Sequence, residues 1–96
     1  MSSYNIRDID GPSDNGADPA AVLRLAERLV ELLRIENPAL VPKGELVRDE
    51  LRHAAHDGLP ANRGIIRFAL EAIRTRVAAG SGSLALVQQL DRVLGV

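Results

Sequence analysis

Between Val22 and Leu33, apolar residues recur at Val22, Leu25, Ala26, Leu29, Leu32 and Leu33. That i, i+3, i+4, i+7 spacing is one face of an α-helix. Asp18 is placed to cap this helix and Pro19 falls at its first position, where a missing N–H costs nothing. Leu23 and Val30 widen the apolar arc beyond the roughly 100° stripe of an ordinary surface helix. Arg24, Glu27, Arg28, Glu31 and Arg34 fill the other side, with opposite charges three apart. Asn37-Pro38 ends the segment, because the residue before a proline avoids the helical region.

Three further segments follow the loop at residues 38–42. A second helix is predicted over 44–57, with a narrow apolar face of Leu46, Val47, Leu51, Ala54 and Ala55; Gly58 and Pro60 stop it. Its polarity predicts packing on one side only. A third helix is predicted from an Asn62 cap to Ala79. Ile65, Ile66, Phe68, Ala69, Leu70, Ala72, Ile73 and Val77 cover more than half its circumference, so it is expected at the centre. Gly80-Ser81-Gly82-Ser83 is a turn, with Ser83 as the expected cap of a fourth helix carrying Leu86, Val87, Leu90, Val93 and Leu94. Short connections favour antiparallel neighbours. The pattern predicts an all-α fold, a compact bundle of four amphipathic helices over residues 18–96. An N-terminal arm, residues 1–17, precedes it. There Tyr4-Asn5-Ile6-Arg7-Asp8-Ile9 alternates like a short strand, and the rest is rich in turn-forming Gly, Pro, Asn, Asp and Ser.

Composition sharpens this picture. The 96 residues are 46% hydrophobic but only 2% aromatic, so the core must be built of aliphatic side chains. Burying one contributes about 1.5–3 kcal/mol, against an ordering cost of about 1.5 kcal/mol per residue. A monomeric core of this size is expected to be marginal, and oligomerisation is a common remedy. The net charge of −1 argues against nucleic acid as a partner. Charge is nonetheless uneven: Asp8, Asp10, Asp14 and Asp18 outnumber Arg7 at the start, while Arg63, Arg67, Arg74 and Arg76 face Glu71 alone across 62–79. No Cys is present, which removes disulfides and thiolate chemistry. No apolar run approaches the ~18 residues of a membrane span, and no secretory leader follows Met1, so a cytoplasmic protein is expected. Eleven Arg to one Lys suggests a GC-rich bacterial genome, actinobacterial or phage.

Little in the chain can do chemistry. His53 and His56 lie near Glu50 and Asp57, but a di-metal bundle needs two Glu-x-x-His copies and inward carboxylates, which are absent here. The Gly80–Ser83 turn lacks the Lys and strand of a phosphate loop. No cofactor, metal or catalytic residue is expected, and no enzymatic function. The alternative is a helix-turn-helix regulator in which Asn62, Arg63 and Arg67 meet DNA from the third helix. Pro60 lengthens that turn and Gly64 occupies a position usually aliphatic, both against it. The stronger signal is surplus apolar arc on the first and third helices. It predicts a partner interface at Leu23, Val30, Ile66, Leu70, Ile73 and Val77, filled by a second copy, as dimer or higher, or by another protein.

Two stretches resemble known proteins over about half the chain. The head Asn5-Ile6-Arg7-Asp8-Ile9-Asp10-Gly11-Pro12-Ser13-Asp14-Asn15-Gly16 is similar to Gly/Asn-rich heads on small actinobacterial proteins, although it carries more Asp and fewer Gly. The stretch from Asn62-Arg63-Gly64 through Ala69-Leu70-Glu71-Ala72-Ile73 to Gly80-Ser81-Gly82 looks like their helical portion. Such helices resemble the adaptor, effector-associated modules of bacterial conflict systems. The resemblance implies like-with-like protein contact and supplies no catalytic residue.

Overall fold

Asp18 opens the described part of the chain, residues 18–95 of a computed structural model. Its carboxylate accepts a hydrogen bond from the Ala20 amide at 3.2 Å, which caps α1 (Pro19–Glu36) as the sequence predicts. The arm and its Tyr4–Ile9 strand expectation lie outside the described residues.

A single 3-10 turn, Pro38–Leu40, runs directly into α2 (Val41–Asp57). The helix thus starts three residues before Gly44, the predicted beginning. Pro42 permits this because it falls in the first turn, where no amide partner is needed. At the far end Gly58 takes a left-handed φ of 70° and donates its amide to Ala54 O at 3.0 Å. Asn62 caps α3 (Arg63–Arg74), its side chain accepting from the Ile65 amide at 3.1 Å.

Two further boundaries differ from expectation. α3 stops at Arg74, five residues short of Ala79, because the backbone tightens there: Thr75 Oγ1 donates to Ala72 O and the Arg76 amide to Ile73 O, at 3.1 and 3.0 Å. α4 (Gly82–Leu94) is capped by Ser81 and not Ser83: Ser81 Oγ accepts from the Leu84 amide at 3.1 Å. Ser83 is instead buried inside the first turn. Gly95, with φ 68°, closes α4.

The four helices form a ring. α1 packs on α2 and α4, and α3 packs on α2 and, more lightly, on α4. Two expectations are corrected by this order. α3 is a wall of the bundle and not its centre, and α2 packs on both sides despite its polar composition. α2 can do so because Gly44 lets its backbone lie against α1: a Cβ there would stand 2.8 Å from Leu33 Cδ1 and 3.3 Å from Val30 Cγ2. Inside the ring, Leu29, Leu33, Val47, Ile66, Leu70, Ile73, Val87 and Leu90 are shut off from solvent. That aliphatic layer is what holds the helices together.

Candidate interaction surface

The six residues expected at a partner interface do not lie on the surface as a group. Val30, Ile66, Leu70 and Ile73 are only 2%, 1%, 1% and 0% exposed, and Leu23 and Val77 are partly buried against the same core. Their assignment to an exposed interface is therefore corrected. The cause is the ring geometry. A helix touched by two neighbours must be apolar over two adjoining stripes, so the wide arcs of α1 and α3 reflect a second helix within the chain.

The three residues of the DNA alternative are largely engaged in holding the fold. Asn62 caps α3, and its backbone amide donates to Glu50 Oε1 at 3.1 Å, which ties the α2–α3 loop to α2. The Arg63 guanidinium donates to Leu94 O and, at 3.1 Å, to Gly95 O. It thus satisfies carbonyls at the C-terminus of α4, where a cation is favoured by the helix dipole. Arg67 is exposed on the outer face of α3. His53 and His56 are both exposed, and no metal-holding group of three His, Cys, Asp or Glu occurs among the described residues. No helix among them is long and apolar enough to cross a membrane.

One polar device was invisible in the sequence. Glu36, the last residue of α1, accepts from both the Ser83 hydroxyl, at 2.7 Å, and the Ser83 amide, at 3.1 Å. The Ser83 hydroxyl, followed by its amide, holds the Glu36 carboxyl below its ordinary value; partial desolvation opposes them and the Gly82 amide assists. A carboxylate at the end of one helix thereby caps the start of another, 47 residues away. No local spacing announces such a pair.

Besides Ile35, 79% exposed near the end of α1, two apolar features are accessible among the described residues. The first is the outer face of α3, where Phe68, the chain's single Phe, is 59% exposed. Gly64 and Ala72 lie one turn to either side, and with Arg67, Glu71 and Thr75 they line a shallow concavity of about 620 Å³. The Lys43 ammonium reaches from α2 to 4.8 Å from the ring centroid. Leu46, one turn along α2 from Lys43, is also exposed. The second feature is a groove of about 470 Å³ at the α2–α3 end of the bundle, walled chiefly by aliphatic side chains. Phe68 was legible after all: it lies two residues, about 200°, around α3 from buried Ile66. No protein-family model, curated protein or solved structure matches this chain.

Proposed function

We propose that the chain is a non-enzymatic interaction module, working in the cytoplasm and associating with itself through the outer face of α3. The observation that carries this reading is Phe68, a large ring held at 59% exposure on the side of α3 away from the core. Its surroundings suit a second copy. Gly64 and Ala72 flank it symmetrically, so two α3 helices crossing antiparallel about a two-fold axis set each ring beside the small residues of the other. Arg67 and Glu71 lie one turn apart on the same concavity, and the two-fold brings each near its opposite number. The resemblance of residues 62–82 to adaptor modules that join like with like supports the same direction. Another protein presenting a comparable apolar face would dock in the same way. For the DNA alternative, Arg67 is the one residue of the three without a hydrogen bond or ion pair among the described residues, and no observation favours that reading.

Sedimentation velocity on the full chain tests the reading. A concentration series from low micromolar towards millimolar should show the wild type passing from monomer to dimer. Phe68→Ser should stay monomeric at every concentration while melting at an almost unchanged temperature, since the ring contributes little to the core. A wild type that remains monomeric throughout removes the proposal.

A further inference from the structure

The groove at the α2–α3 end draws on all four helices. Its walls are Val22 of α1, Leu51 and Ala54 of α2, Leu59 of the loop, Ile66 of α3 and Leu94 of α4. Leu59 is 65% exposed there and is free to take a cover, while Val22, Leu51 and Ile66 are already buried. Pro19, the first residue of α1, also lines it, so residues 1–17 enter the fold at the groove's own rim. Within them Tyr4, Ile6 and Ile9 place three large apolar side chains inside six positions. Nine residues lie between Ile9 and Pro19, and extended chain covers about 3.3–3.6 Å per residue. The connection is therefore long enough for the segment to turn back, and Gly11-Pro12 and Gly16 are residues that make such turns.

Charge agrees with shape. Asp8, Asp10 and Asp14 outnumber Arg7 in the segment, whereas the single charged residue lining the groove is Arg63. Among the described residues the Arg63 guanidinium bonds carbonyl oxygens and no carboxylate, so its positive charge is not offset by an ion pair there. We infer that the segment Tyr4–Ile9 lies in this groove of its own subunit, with Ile6 and Ile9 against its aliphatic walls and Asp8 or Asp10 near Arg63. The inference stands apart from self-association through α3, which uses a different face.

The sequence provides a built-in reporter. Tyr4 is the single Tyr and there is no Trp, so tyrosine fluorescence of the intact chain reports on this segment alone. Acrylamide quenching of the full chain is compared with that of a short peptide of residues 1–12. Ala55→Glu and Leu59→Ser place a carboxylate in the groove or remove a wall at exposed positions; far-UV circular dichroism verifies that each folds. Expected are wild-type quenching several-fold weaker than the peptide's, independence from protein concentration, and a rise toward the peptide's value in both variants. Peptide-like quenching in the wild type overturns the inference, as does shielding that survives both variants. Shielding that grows with concentration means that the segment docks in a second copy, and overturns the intrachain form.

Discussion

Adding one methyl group at Gly44 opposes two effects whose sizes the structure fixes. In a helix Ala is favoured over Gly by about 0.5–1 kcal/mol, so an exposed site would gain from Gly44→Ala. Here the new Cβ would meet Leu33 Cδ1 at 2.8 Å and Val30 Cγ2 at 3.3 Å. Leu33 is 0% and Val30 2% exposed, so neither can swing aside into solvent. Overpacking a closed interior costs about 1–3 kcal/mol. The net loss is about 1 kcal/mol, or roughly 4–8 °C in Tm for a domain of this size. Thermal and urea unfolding followed by far-UV circular dichroism give both numbers. The sign should reverse when room is made: Leu33→Ala alone loses about 2–5 kcal/mol, and on that background Gly44→Ala should stabilise by roughly the helix-propensity difference. A rise in Tm for Gly44→Ala in the otherwise unaltered chain refutes the close α1–α2 crossing.

Other substitutions test other parts of the fold. Asn62→Ala should lose about 1 kcal/mol, since the Ile65 amide is left without its cap. Arg63→Ala should lose about 1 kcal/mol by freeing the carbonyls at the end of α4, and hydrogen exchange should accelerate locally in the last turn of that helix. The Glu36 carboxyl is held below its ordinary value of 4.5 in the folded chain, so its stabilising contribution is complete above that pH and disappears as pH falls through the folded value. Melting curves should therefore show the wild type ahead of Ser83→Ala at neutral pH, with the gap narrowing as the pH drops below 4.5. A gap that is constant across this range contradicts an ionised Glu36 at the start of α4.

The four helices were legible because their apolar spacing and their punctuation agreed: Asp18-Pro19, Asn62, Gly58 and Gly95 mark ends that the structure keeps. Periodicity could not distinguish Ser81 from Ser83 as a cap, since both precede the fourth apolar run. Nor could it see that Thr75 turns back on α3, or that α2 begins on the proline-rich loop. The arcs of α1 and α3 are as wide as their sequences indicate, but width alone does not separate a second helix of the bundle from a second molecule. Gly44 held that information, as a residue without a side chain on the α1-facing side of α2. Angular position, beyond mere membership of an apolar set, separates Phe68 from Ile66, Leu70 and Ile73.

The central claim is that the aliphatic stripes close within one subunit while Phe68 meets a partner. Methyl NMR of the full chain over a concentration series tests it most directly. Shifts and line broadening should gather at Leu46 and Ala72, around the Phe68 ring, and leave the methyls of Val30, Ile66, Leu70 and Ile73 unmoved. Concentration-dependent change centred on those four core residues, or none anywhere, would contradict the account.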